Sequence, residues 1–125
     1  MVDSGRLHEL VLEVGLELPA TDRHDFAENW EALRVREKWF AVLSMLDGVP
    51  IVNLKADPVD GEALRQTYAE ITPGYHMNKR HWVTLRPGES LDEGLVRELV
   101  RASYLLVVLG LPKKDRPVNP ESFEV

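Results

Sequence analysis

Residues 71–85 read Ile-Thr-Pro-Gly-Tyr-His-Met-Asn-Lys-Arg-His-Trp-Val-Thr-Leu and contain no carboxylate. The whole chain has a formal net charge of −6, so this stretch reverses the local sign. It holds Lys79, Arg80 and two of the four histidines, His76 and His81. Lysine and arginine neutralise phosphate oxygens, and flat rings such as Trp82 stack on unpaired bases. Lys38 opens one apolar stretch and Lys55 closes another, while Asn53 and Asn78 add amide donors and Phe40 a further ring. The chemistry these types point to is contact with a nucleic-acid backbone through Lys38, Lys55, Asn78, Lys79, Arg80, His81 and Trp82. No groove-docking motif that reads base edges is recognisable. The same residues also have a structural reading, in which Trp82 is core, His81 caps a backbone group and the lysines lie on a solvated sheet face.

Other chemistries have weaker footing. Glu9, Glu13 and Glu17 repeat every four residues, and Asp22, Asp25 and Glu28 follow. Hard cations bind such carboxylates, but a charged helix face usually serves solubility. His76 and His81 would face each other across a tight turn at residues 78–80, yet no third ligand has a recognised spacing, so no metal site is expected. Ser90 fits a helix cap as the first member of Ser90-x-x-Glu93. Ser103 lies on an apolar helical face, where its hydroxyl reaches the carbonyl one turn back. Neither serine has an orienting base or an oxyanion feature. With no phosphate-cradling glycine loop or dinucleotide fingerprint, no enzyme and no cofactor are expected.

The elements that must position these residues follow from periodicity. Leu7, Leu10, Val11, Val14 and Leu18 have helical spacing over residues 3–16. Residues 22–26 and 33–36 suit short strands with a turn at Glu28-Asn29. Asp47-Gly48 between two apolar runs signals a two-residue hairpin. That register puts Trp39, Ala41, Leu43 and Met45 with Leu54, Val52 and Pro50 on the core face. It puts Lys38, Phe40, Val42 and Ser44 outside, with Phe40 opposite Lys55. Asp57-Pro58 opens a second helix that ends near Ile71. Residues 75–77 and 81–86 look extended. Leu95, Val96, Leu99, Val100, Ser103, Leu106 and Val107 mark a third helix, stopped by Gly110 and Pro112. Residues 112–125 hold two further prolines and no periodicity, and read as an extended or mobile tail.

At 125 residues the chain suits one domain, residues 1–111 plus that tail. Helices on one face of an antiparallel sheet make a two-layer α+β sandwich. Without cysteine there is no disulfide or thiolate site, which suits a reducing cytoplasm. No signal peptide or membrane-spanning run is expected.

Together, Lys38, Leu54-Lys55, His76-x-Asn78-Lys79-x-His81-Trp82, Ser103-Tyr104 and Leu111-Pro112-Lys113 resemble the MmcQ/YjbR family of small bacterial proteins. The resemblance runs from the first helix to Lys113. It implies a frataxin/CyaY-like fold and DNA binding through a wing-like region containing Lys38, Lys55, Asn78, Lys79, His81 and Trp82. The frataxin likeness also implies weak cation binding by the acidic first helix, and a protein-interaction module with an unidentified protein partner is a further alternative.

Overall fold

Residues 1–123 are described by a computed structural model. Its elements run α1 (Leu7–Gly15), β1 (Thr21–Ala27), β2 (Trp30–Val35), β3 (Lys38–Leu46), β4 (Val49–Lys55), α2 (Pro58–Thr67), β5 (Ile71–Pro73), β6 (Trp82–Leu85) and α3 (Glu93–Leu109). The strands form one antiparallel sheet in the order β1-β2-β3-β4-β6-β5. The helices pack on one face, giving the two-layer α+β architecture expected. Leu7, Leu10, Val11 and Val14 of α1 meet Val96, Val100, Tyr104 and Val108 of α3 over Leu33, Leu43, Leu54 and Leu85 of the sheet. Gly15 ends α1 where a Cβ would collide with Leu33 Cδ1. None of the described helices is long and apolar enough to cross a membrane.

The Asp47-Gly48 turn has positive φ at both residues, 51° and 78°, as a type I′ hairpin requires. It pairs Met45 with Pro50, Leu43 with Val52 and Ala41 with Leu54, in the register read from the sequence. The other end of β3 departs from that reading. Against β2, Leu33 pairs with Ala41 but Arg34 pairs with Trp39, so Phe40 is an extra residue. Such a bulge breaks alternation. Phe40 therefore enters the core, its ring edge-on to Tyr104 at 5.5 Å, and Trp39 turns outward. Lys38 pairs with the core residue Val35, and paired residues share a face. Lys38 thus lies on the helix side, whereas Lys55 pairs with Trp82 on the opposite side. Phe40 does not stand opposite Lys55.

Asp57 caps α2 as expected, its carboxylate accepting from the N–H groups of Val59 (3.1 Å) and Asp60 (3.3 Å). The cap of α3 is Asp92, accepting from Leu95 N–H at 2.7 Å, and not Ser90. Ser90 instead gives its N–H and hydroxyl to the Glu70 carboxylate. Leu91 is fully buried and accepts from Val2 N–H, which pulls the helix start past Ser90.

The segment after α3, read as an extended or mobile tail, is docked over its described residues. Residues Lys113–Asp115 make a 3₁₀ turn. The Arg116 guanidinium donates to the carbonyl of Leu109 (2.8 Å), which the end of α3 leaves open, and to that of Leu111 (2.9 Å), just beyond the helix. Arg36 donates to Asp115 O, and Val118 and Phe123 pack against the core. Residues 124 and 125, also assigned to the tail, lie outside the described residues.

Candidate nucleic-acid interface

Among the described residues no helix covers the second sheet face, yet much of it is buried. Following partners across the strands, the row His24, Ala32, Val42, Asn53, Thr84 and Thr72 points this way. Ala32, Val42 and Trp82 form a small apolar cluster, flanked by Trp30, Trp39 and Met77. Part of the cover comes from residues 74–81, the connection between β5 and β6. Asn53 Nδ2 donates to Tyr75 O at 3.0 Å, and Tyr75 N–H donates to Thr84 Oγ1 at 2.8 Å and to Asn53 Oδ1 at 3.3 Å. Thr84 in turn donates its hydroxyl to Asn53 Oδ1. Two polar residues inside strands are thereby satisfied, as burial demands, and the loop is pinned to the sheet. Gly74 completes the contact: a Cβ there would stand 2.8 Å from Trp82 Cβ.

This replaces the hairpin expected around residues 78–80. The ladder lies earlier, pairing Ile71 with Leu85, Thr72 with Thr84 and Pro73 with Val83. Tyr75 spends its backbone groups on Asn53 and Thr84 side chains instead of a partner strand. His76 takes φ +58°, and it and His81 are not cross-strand partners.

The loop fixes several candidate residues. Asn78 Oδ1 accepts from Arg80 N–H at 2.9 Å, an Asx turn. Asn78 O accepts from His81 N–H, and His81 O from Ala56 N–H. Lys79 Nζ donates to Gly74 O at 2.9 Å, while Arg80 and His81 are exposed. Trp82 is buried within the small cluster at 7% exposure, with Lys55 Nζ 5.2 Å from its ring centroid, a cation–π distance. Lys55, Asn78, Lys79, Arg80, His81 and Trp82 are thus joined through β4, β6 and their adjoining loop. Lys38 is separated from them by the thickness of the sheet.

Among the described residues, the ion pairs use only Arg6, Arg23, Arg34 and Arg97 as cations. Lys55, Lys79 and Arg80 are in none of them. On the helix-free face, Asp22 is the one strand carboxylate among the described residues, and Arg34 holds it by two 3.0 Å bonds. Those bonds keep the Asp22 carboxyl below its ordinary pKa. The acidic helix is also cross-linked: Arg6 reaches Glu9, Glu13 and Glu93, and Arg97 reaches Glu13 at 3.0 Å. Arg97 and Arg6 hold Glu13 below the usual carboxylate range, and Arg6 does the same to Glu93. No group of three metal-holding side chains occurs among the described residues.

Ser103 and Tyr104 serve packing. Ser103 Oγ bonds Leu99 O one turn back (2.9 Å), as read from the sequence, and also Lys55 O (2.7 Å). Tyr104 is fully buried, its hydroxyl donating to Pro19 O at 2.7 Å, and burial raises its pKa. An open groove of about 530 Å³ lies between α2 and α3, floored by Leu54 and Val83. Of its polar lining, Asp57 is spent on the α2 cap, Ser103 on carbonyls and Thr67 on Ala63 O.

A family model described as YjbR matches residues 16–106. The chain belongs to the YjbR family. The YbdF protein of Escherichia coli O157:H7 is 41% identical over 116 residues, covering 92% of this chain and 95% of that protein. The YjbR protein of Escherichia coli K12 is 36% identical over 90 residues, covering 70% and 76%. The crystal structure of Deinococcus radiodurans protein DR2400 superposes with a TM-score of 0.79 at 33% identity, covering 93% of this chain and 86% of that one. All of the candidate residues lie inside the YjbR match. The helix-free face of this YjbR domain also carries partly exposed rings, Phe26, Trp30, Trp39 and Tyr75, that the sequence reading did not select. The aromatic residues of β1 and β2 were a visible signal, but the bulge that turns Trp39 outward was not.

Proposed function

We propose that the helix-free face binds DNA through its phosphate backbone, with Lys55, Lys79, Arg80 and His81 as the contacts. Asn78 shapes the turn that presents them, and Trp82 supports Lys55. Lys38 leaves this set, because it projects to the helix side. One observation carries the reading. In a chain of net charge −6, Lys55, Lys79 and Arg80 stand outside every ion pair among the described residues, while Asp22, the strand carboxylate of this face, is held by Arg34. The loop that bears them is pinned by Asn53 and Thr84, so little ordering cost falls on binding. Such contacts release counterions and carry no sequence information.

The test is anisotropy of a labelled oligonucleotide across a salt series. Changing Lys79 and Arg80 together to Ala should weaken binding equally for unrelated sequences. It should also reduce the salt slope by roughly 1.4 to 1.8, the loss of two phosphate contacts. An unchanged slope would remove this loop from the interface.

A further inference from the structure

The rings of the helix-free face are organised as a connected series. Phe26 lies 4.5 Å from Trp39 and 6.0 Å from Trp30, centroid to centroid. Trp30 is near-parallel to Tyr75, 14° apart in plane and 6.3 Å in distance, and His76 follows Tyr75 at 4.0 Å. The series thus crosses from the edge strand β1 to the pinned loop. It stays open to solvent: Phe26 is 37% exposed, His76 is exposed, and Trp30, Trp39 and Tyr75 are half-buried. A β1 bulge at Phe26 and a β3 bulge at Phe40 interrupt the alternation beside these rings.

Trp30 and Trp39 pack beside the Ala32, Val42 and Trp82 cluster, but Phe26 and His76 of the series stand exposed. Partly exposed aromatic surface is costly to leave in water and marks a binding surface when contiguous. Its neighbours say which kind. The series shares its face with Lys55, and its Tyr75-His76 end is continuous in sequence with Lys79 and Arg80. A protein partner with an apolar patch would meet unpaired cations here. A polyanion with flat apolar faces satisfies both features at once.

We infer that this face is a platform for single-stranded DNA, with unpaired bases stacking on Phe26, Trp30, Trp39, Tyr75 and His76 while the phosphates follow Lys55, Lys79 and Arg80. The inference rests on the backbone-binding reading and narrows its ligand. Duplex DNA keeps its base faces stacked on each other, so the rings gain nothing from it. A single strand offers a π-face at every base, and stacking tolerates any sequence.

The experiment uses the full chain and three probes of one sequence: a labelled single-stranded DNA oligonucleotide, its duplex, and the matching RNA. Anisotropy gives affinities at one salt concentration, and intrinsic tryptophan emission reports stacking directly. The single-stranded DNA should bind at least tenfold tighter than the duplex, as stacking of even one or two bases provides, and should quench tryptophan emission. Phe26→Ala with His76→Ala should remove most of that preference and leave duplex affinity unchanged. Both side chains are exposed, and a urea midpoint checks the fold. Equal affinity for both DNA forms, or a single-strand preference without quenching, overturns stacking and leaves the backbone reading in place. No binding to either DNA form at low salt overturns both. RNA binding tenfold tighter than single-stranded DNA overturns DNA as the occupant.

Discussion

Asn53 is the residue on which the candidate interface turns. It sits in the middle of β4, fully buried, where a strand residue would ordinarily be apolar. Its amide satisfies Tyr75 O and helps hold Tyr75 N–H, so it stabilises a loop and a sheet together. Asn53→Leu removes the donor to Tyr75 O. A buried acceptor left without a donor costs about 1–3 kcal/mol. The expected outcome is a lower urea midpoint at unchanged slope, together with weaker DNA binding as the loop loosens. Stability equal to the parent would show that the loop holds without this amide. By type, Asn53 reads as an amide donor to the candidate patch on the outer face, but full burial turns its amide to Tyr75 instead. Its partner, Tyr75, is 22 positions away and was read as part of a strand.

At the level of elements, α1 and α3 are tied by apolar packing and by Arg6 and Arg97 reaching Glu13 and Glu93. The arrangement gives the fold an acid-sensitive seam. Glu13 and Glu93 have folded pKa values below their ordinary 4.5. The unfolded chain therefore takes up protons first as pH falls. Stability from these groups is fully present above about 4.5 and is lost as pH drops through the lower folded values. Both carboxylates are exposed, so the effect is screened and modest. Arg97→Ala removes the strongest hold on Glu13 and should flatten the fall in urea midpoint between pH 5 and pH 3. An acid limb identical to the parent's would locate the acid sensitivity elsewhere, with Asp22 the next group to examine. The repeating glutamates were plain in the sequence, but their partners were not. Glu93 joins Arg6 across 87 positions, a separation no local spacing rule reaches.

The whole molecule presents two unlike sides. Glu13 and Glu93 with their partners Arg6 and Arg97 lie on the helix layer, and exposed rings with Lys55 lie on the other face. Under the proposed function, the acidic helix would repel a polyanion and turn it toward the opposite face despite the overall charge of −6. Neutralising the helix side therefore separates steering from contact. Glu9→Gln with Glu17→Gln should raise DNA affinity slightly at low salt yet leave the salt slope at the parent value, because the slope counts phosphates contacted. A changed slope in that variant would place the helix layer in contact with DNA.

Local rules were enough to determine much of this protein. The 3.6-residue spacing marked α1 and α3, Asp47-Gly48 set the β3–β4 register, and Asp57-Pro58 started α2. Each depends on neighbours a few positions apart, and together they gave the two-layer α+β class. The acid-free stretch with Lys79 and Arg80 was equally legible, since residue type alone carries charge. Tertiary structure decided which face each side chain serves. The bulge at Phe40 arises from pairing with β2, and it exchanges Trp39 with Phe40 and sends Lys38 to the helix side. The loop at residues 74–81 lies on the sheet because Asn53 and Thr84 meet Tyr75 there. The tail docks because Arg36 reaches Asp115 O and Phe123 packs near Tyr104. In these last two cases the deciding partner is distant in the chain, and only folding brings it within hydrogen-bonding or van der Waals range.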